Sequence, residues 1–109
     1  MNIIVVGLNH KTAPVEIREK ISFQPAMLEE AHGKLLQTQG VTEGMILSTC
    51  NRVEVYSCVN DIESGIREVK GFLAAFHGLP LERFEEHLFI CSAEDALQHL
   101  FRVASSLDS

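Results

Sequence analysis

The sequence has no hydrophobic run long enough to cross a bilayer, since no apolar stretch approaches the ~20 residues of a membrane-spanning helix. Its first residues lack the charged segment and the small-residue cleavage site of a signal peptide. It has only three cysteines, Cys50, Cys58 and Cys91, which cannot all pair within one chain, and it has no Cys-x-x-Cys motif. These absences argue against a disulfide scaffold and predict a soluble protein of the cytoplasm.

Basic residues are also few, with 9 Lys and Arg against 15 Asp and Glu and a net charge of −6. Because these residues are scattered along the sequence, a broad phosphate-binding surface is not expected within this chain. If RNA is a partner, most of the positive charge that holds it should lie outside these residues. The histidines and cysteines do not have the spacing of zinc ligands, so no metal site is predicted. A length of 109 residues suits a single domain over 1–109 with one hydrophobic core.

The apolar periodicity predicts the element order βαββαβ followed by a C-terminal helix. Strands are expected over 2–8, 45–49, 53–59 and 87–91, and helices over 15–21, 25–39, 61–77 and 93–107. The second and third strands lie so close in sequence that a hairpin-like turn should join them. The economical arrangement is an α+β fold of the split-βαβ, ferredoxin-like kind, an antiparallel sheet with helices on one face.

Cys50 is the first candidate for a reactive side chain. It lies in the predicted turn between two strands, and exposed turns are where side chains meet substrates. Arg52 is two residues further on, and a fixed positive charge favours the thiolate, which attacks esters to give an activated thioester. The alternative is a small apolar core residue, the usual role of an isolated cysteine. Cys58 and Cys91 fall within strand patterns and are interpreted as structural.

His99 is the second candidate. It lies beside the apolar stripe of the predicted last helix, with Asp95 one helical turn before it. A carboxylate at that spacing would orient the imidazole ring. A solvated polar helix face would give the same pattern, so both interpretations stay open.

Three blocks of the sequence resemble glutamyl-tRNA reductases. Gly7–Glu19 (GLNHKTAPVEIRE) is similar to the opening signature of that family, and Leu47–Tyr56 (LSTCNRVEVY) to its nucleophile motif. His99–Ser109 (HLFRVASSLDS) resembles a third block, with Ser106 where the family usually has glycine. Three blocks in the right order along the whole chain are far more specific than any one of them.

The resemblance implies the amino-terminal catalytic domain of such an enzyme. By resemblance, Cys50 takes the glutamyl group from glutamyl-tRNA as a thioester, and NADPH reduces the thioester to glutamate-1-semialdehyde for tetrapyrrole biosynthesis. His99 would assist by protonating the departing ribose oxygen. The residues implied to contact the glutamyl group are Thr49, Asn51, Arg52 and Ser109, and the planar fork of an arginine suits a carboxylate.

The resemblance also implies domains and partners beyond these residues. In the family an NADPH-binding domain and a helical dimerisation domain follow the catalytic domain. The sequence has no glycine-rich strand–turn–helix for dinucleotide phosphates, so it predicts neither NADPH binding nor reductase activity for this chain alone. The expected partners are glutamyl-tRNA, a second copy in a homodimer made through the C-terminal domain, and the aminomutase that takes the semialdehyde.

Two other functions fit the residues taken alone. A split-βαβ module binds ligands or RNA in many proteins without any chemistry of its own. A redox-sensing thiol domain would need a resolving cysteine near Cys50, and Cys58 is the one candidate. The reactivity of Cys50 discriminates among these functions, because a binding module does not need a hyper-reactive thiol.

Overall fold

The computed structural model describes residues 2–92, 99 and 102–104. The strands of the described residues are β1 Asn2–Asn9, β2 Val41–Ser48, β3 Arg52–Val59 and β4 Phe89–Ser92, and the α-helices are α1 Val15–Ile21, α2 Leu28–Leu36 and α3 Ile62–His77. The four strands form one antiparallel sheet in the order β2-β3-β1-β4. The predicted antiparallel sheet with helices is confirmed, and the closer ferredoxin-like assignment stays a prediction.

Strand β1 lies inside the sheet, paired with β3 on one side and β4 on the other. A strand that is covered on both faces needs a continuous apolar run rather than an alternating pattern. Ile4, Val5 and Val6 supply that run, and all three are 0% exposed. The short connection after Ser48 returns the chain at once into β3, which explains why β2 and β3 are neighbours.

The three helices pack on the face of the sheet that carries Ile4, Val6 and Leu8. Helix α3 contributes Val69 and Leu73, which are both 0% exposed. None of the helices in the described part of the chain is long and apolar enough to cross a membrane.

The helix ends differ slightly from the predicted ones. The second helix begins as a 3-10 turn over Pro25–Met27 and ends at Leu36 rather than at residue 39. Asn60 and Glu63 have the spacing of a capping box, which predicts Asn60 as the cap of α3, but the cap is Asp61, whose carboxylate accepts a hydrogen bond from the Ser64 amide at 2.9 Å. That hydrogen bond holds the pKa of Asp61 below its usual range.

The opposite face of the sheet carries Val5 and Tyr56, with Phe89 packed against them. The His99 ring contacts the Phe89 ring at a centroid distance of 5.1 Å, so His99 lies on this second face. The predicted C-terminal helix over 93–107 falls mostly outside the described residues, although His99 and residues 102–104 have helical backbone. That helix therefore stays a prediction.

Replacing Val69 with aspartate should unfold the domain at room temperature. The side chain is fully buried between α3 and the sheet, and an unpaired buried charge costs several kcal/mol against a total stability of about 5–15 kcal/mol. Thermal unfolding followed by circular dichroism measures the effect. Arg67→Asp, on the exposed side of the same helix, is the control and should melt close to the wild type. An unchanged melting temperature for Val69→Asp would contradict the packing of α3.

Candidate active site

Cys50 lies in the tight connection between β2 and β3, and its side chain is exposed. The Thr49 amide donates to the Arg52 carbonyl oxygen at 2.8 Å, and the Asn51 amide donates to Thr49 Oγ1 at 3.2 Å. These two bonds fix the backbone on either side of Cys50. The predicted turn is thus confirmed, and the interpretation of Cys50 as a buried core residue is wrong.

Arg18, in helix α1, holds the Cys50 turn against the loop before that helix. Its Nε donates to the Cys50 carbonyl oxygen at 3.3 Å, and its Nη1 donates to the Ala13 carbonyl oxygen at 2.7 Å. The sequence pattern indicates Arg52 as the positive charge nearest Cys50. In the structure the guanidinium bonded to the Cys50 backbone is that of Arg18, which is 32 residues away in sequence.

A fully buried carboxylate, Glu54, lies two residues after Arg52 on the second face of the sheet. It faces Gly7 across the β1–β3 pair. A Cβ atom at position 7 would stand 2.5 Å from the Val53 carbonyl oxygen and 3.0 Å from the Glu54 Cγ. Glycine at position 7 therefore provides the space in which the Glu54 side chain lies.

Three side chains satisfy the Glu54 carboxylate. The Tyr56 hydroxyl donates to Oε1 at 2.7 Å, Arg52 Nη1 donates to Oε2 at 3.2 Å, and His99 Nε2 lies 2.8 Å from the same Oε2. Burial, reinforced by the hydrogen bond to Glu54, raises the pKa of Tyr56 far above its usual range, so the phenol remains a donor. We call Arg52, Glu54, Tyr56 and His99 the Glu54 network.

The Glu54 network also fixes the state of His99. Because Glu54 Oε2 is an acceptor, the hydrogen bond requires a proton on His99 Nε2 and leaves Nδ1 as the nitrogen that can exchange a proton with a ligand. The predicted partner of His99 was Asp95, which lies outside the described residues. A carboxylate that the structure does describe beside His99 is that of Glu54, 45 residues away in sequence.

Arg52 and His99 line a cleft of about 230 Å³ beside the network. Its polar lining also includes Asn9, His10, Lys11 and Arg102. Arg52 both closes the Cys50 turn and lines this cleft, so the turn and the cleft are adjacent. The structure thus brings Arg52 and His99 together. Thr49, Cys50 and Asn51 lie in the turn directly before Arg52, the first residue of β3. Ser109 lies outside the described residues.

The other cysteines differ from Cys50 in their surroundings. Cys58 and Cys91 lie in strands and are partly buried. The Cys58 thiol donates to Glu43 Oε2 at 3.5 Å, and burial together with that carboxylate raises the pKa of the thiol. Among the residues the structure describes, no cluster of three or more metal-ligating side chains occurs.

The sequence interpretation missed Glu54, Tyr56 and Arg18. The signal for Glu54 was present: in the alternating segment Arg52–Val59 it shares a face with Tyr56, opposite a glycine of the neighbouring strand. A carboxylate at the centre of a sheet must be paired, because burying it alone is too costly. No comparable local signal existed for Arg18.

Residues 6–109 match the family model described as glutamyl-tRNAGlu reductase, N-terminal domain. The glutamyl-tRNA reductase of Geotalea daltonii is 56% identical over 109 residues, which is 100% of this chain and 25% of that protein. The glutamyl-tRNA reductase of Citrifermentans bemidjiense is 53% identical over the same coverage. The solved structure of glutamyl-tRNA reductase from Methanopyrus kandleri aligns with a TM-score of 0.65 at 31% identity, over 98% of this chain and 23% of that one. The chain therefore spans about a quarter of the length of the curated relatives it matches.

Proposed function

Because the chain belongs to the family of glutamyl-tRNA reductase amino-terminal domains, we propose that it accepts the glutamyl group of glutamyl-tRNA on Cys50. The observation that carries the proposal is the Glu54 network, which begins at the last residue of the exposed Cys50 turn. A sheet is stabilised at least as well by an apolar side chain as by a buried, paired carboxylate. A buried network of this kind therefore supports a role in the reaction as well as in the fold.

In the proposed reaction the Cys50 thiolate attacks the carbonyl carbon of the ester that joins glutamate to the terminal ribose. A carbon–sulfur bond forms, and the bond between that carbon and the ribose oxygen breaks. The ribose oxygen takes up one proton. The products are a glutamyl thioester on Cys50 and a tRNA with a free terminal hydroxyl.

His99 is the proposed donor of that proton. With Nε2–H directed at Glu54, a protonated ring has Nδ1–H left to donate to the ribose oxygen, which is a poor leaving group unaided. Glu54 then acts as a positioning residue, because it holds the ring through Nε2 and supplies the counter-charge.

Arg52 is proposed to bind the side-chain carboxylate of the glutamyl group. Only its Nη1 is directed at Glu54, so the remaining guanidinium donors are available for a second carboxylate. Thr49 and Asn51, on the same turn, are proposed to contact the rest of the glutamyl group, and Ser109 is proposed as a further contact.

The residues of this chain do not fit a dinucleotide. The sequence contains no Gly-x-Gly pair, and such glycines are what allow backbone amides to approach a pyrophosphate. We therefore assign NADPH binding and reduction to glutamate-1-semialdehyde to other parts of a full-length cytoplasmic enzyme. From the family resemblance alone, we also assign homodimer formation and any contact with the aminomutase to those parts.

Incubating the chain with glutamyl-tRNA and no NADPH should give a glutamyl adduct on Cys50. Acid quenching, proteolysis and mass spectrometry locate the adduct. His99→Asn should slow its formation by about 10²–10⁴-fold, the range typical for loss of a general acid. His32→Asn, at an exposed position in helix α2, is the matched control and should react at the wild-type rate.

Two results would contradict the proposed function. One is the absence of any adduct together with a rate of ester cleavage equal to that in buffer. The other is an adduct on Cys58 or Cys91 instead of Cys50.

A further inference from the structure

The cleft beside the Glu54 network has more positive charge than a glutamyl group needs. Its walls include Lys11, Arg52 and Arg102, which are three of the 9 basic residues of a chain whose net charge is −6. No acidic residue lines the cleft in the described part of the chain, and the His10 imidazole lies next to Lys11 in its lining. The buried Glu54 carboxylate is directed at Arg52 and His99, and among the described residues no carboxylate pairs with Lys11 or Arg102.

Hydrogen bonds hold the loop that presents His10 and Lys11. The Asn9 Oδ1 accepts hydrogen bonds from the amides of Lys11 at 2.9 Å and Thr12 at 3.1 Å. The Thr12 carbonyl oxygen lies 3.0 Å from His87 Nδ1, which ties the loop to the segment before β4. A fixed backbone reduces the entropy lost when the exposed Lys11 side chain binds an anion.

We propose that Lys11 and Arg102, assisted by His10, bind the phosphodiester attached to the terminal ribose of the tRNA. This inference rests on the proposed function: the 5′ phosphate is attached to the same ribose as the ester, so with the ester held at Cys50 and His99 we expect that phosphate at the basic wall of the adjoining cleft. A lysine supplies a compact charge and an arginine a planar fork for phosphate oxygens. Such contacts position an RNA without reading its sequence.

Binding of uncharged tRNA tests the subsite without any Cys50 chemistry. Fluorescence anisotropy with labelled tRNA should show that Lys11→Gln/Arg102→Gln weakens binding about 10-fold or more at low salt. The slope of log affinity against log salt should become shallower by about 0.7 for each phosphate that the variant no longer neutralises. Lys34→Gln/Arg83→Gln removes the same charge from two exposed positions outside the cleft and should leave the slope unchanged. No measurable tRNA binding by the wild-type chain, or equal weakening in both double variants, would overturn the subsite.

A pair of substrates separates the subsite from the glutamyl pocket. Glutamyl-tRNA and 3′-O-glutamyl-adenosine carry the same ester, but the second has no phosphate. Lys11→Gln/Arg102→Gln should slow acylation by glutamyl-tRNA about 10-fold and change acylation by glutamyl-adenosine less than twofold. Equal slowing with both substrates would overturn the subsite, because the two cations would then serve the glutamyl group.

The two proposals fail in different ways. Lack of Cys50 acylation by either substrate, with tRNA binding still weakened specifically by Lys11→Gln/Arg102→Gln, would refute the proposed function and support the phosphate subsite. Normal acylation by glutamyl-tRNA in that double variant would overturn the subsite and leave the role of Cys50 intact.

Discussion

Replacing Cys50 with serine should abolish acylation of the chain by glutamyl-tRNA. A serine hydroxyl needs a strong general base to act as a nucleophile, whereas a thiol near neutral pH already contains some thiolate. The side chain is exposed in its turn, so the substitution should not change the melting temperature. Single-turnover acylation, measured with radiolabelled glutamate on the tRNA, gives the rate.

Cys58→Ser is the matched control for this experiment. The Cys58 thiol is partly buried and bonded to Glu43, and both features raise its pKa, so less thiolate is present at a given pH. The Cys58→Ser chain should therefore be acylated like the wild type. Iodoacetamide should also label Cys50 well before Cys58, and labelling of Cys58 should become appreciable only at a pH above that needed by an ordinary thiol.

The catalytic interpretation fails if Cys50 is alkylated no faster than Cys58 and Cys50→Ser keeps its acylation rate. In that case the same fold would be a binding module, and the cleft rather than the thiol would be its functional feature. Circular dichroism of each variant excludes unfolding as the cause of any lost activity.

The sheet and the helices could be predicted because their signals are local. Period-two and period-3.6 patterns, a glycine at the end of α3 and a continuous apolar run in β1 each act over a few residues. The Cys50 turn was predictable for the same reason, since two strand patterns flank a short polar interruption. Sequence spacing singled out His99 as a polar residue beside a predicted apolar stripe, but it left a solvated helix face equally open, and the apolar stripe stays a prediction.

The Glu54 network could not be predicted in the same way, because it depends on contacts between distant parts of the chain. Glu54 reaches His99 from β3, 45 residues away in sequence, and helical spacing around His99 cannot reveal such a partner. The cleft is a second example, since counting charges along the chain suggested scattered cations. Folding brings Lys11 and Arg102, which are far apart in sequence, to the same cleft.

Replacing Glu54 with glutamine should also have a large effect on acylation, because the Glu54 carboxylate is the centre of the network. In Glu54→Gln the Tyr56 hydroxyl keeps an acceptor, but an amide NH₂ replaces the oxygen that faces Arg52 Nη1 and His99 Nε2. The N–H groups of Arg52 and His99 then face an amide N–H donor and no longer an acceptor oxygen. The His99 ring thereby loses the partner that fixes its tautomer. We expect acylation to slow by about 10²-fold, the low end of the range for a general acid. We also expect the free energy of unfolding to fall by about 2–4 kcal/mol, since two charge-assisted hydrogen bonds are removed from a buried position.

A double-mutant cycle decides whether Glu54 acts through His99. If it does, Glu54→Gln/His99→Asn should react no more slowly than His99→Asn alone, because the positioning residue has nothing left to position. Glu43→Gln, an exposed glutamate on β2 of the same sheet, is the control and should leave the rate unchanged. The pH profile of acylation provides a further test, since Glu54→Gln should shift it and a variant that only loosens packing should not. A different result would show that Glu54 supports the sheet or Arg52 instead of His99. In that result the rate losses of the two single variants multiply in the double variant, and the pH profile of Glu54→Gln is unshifted.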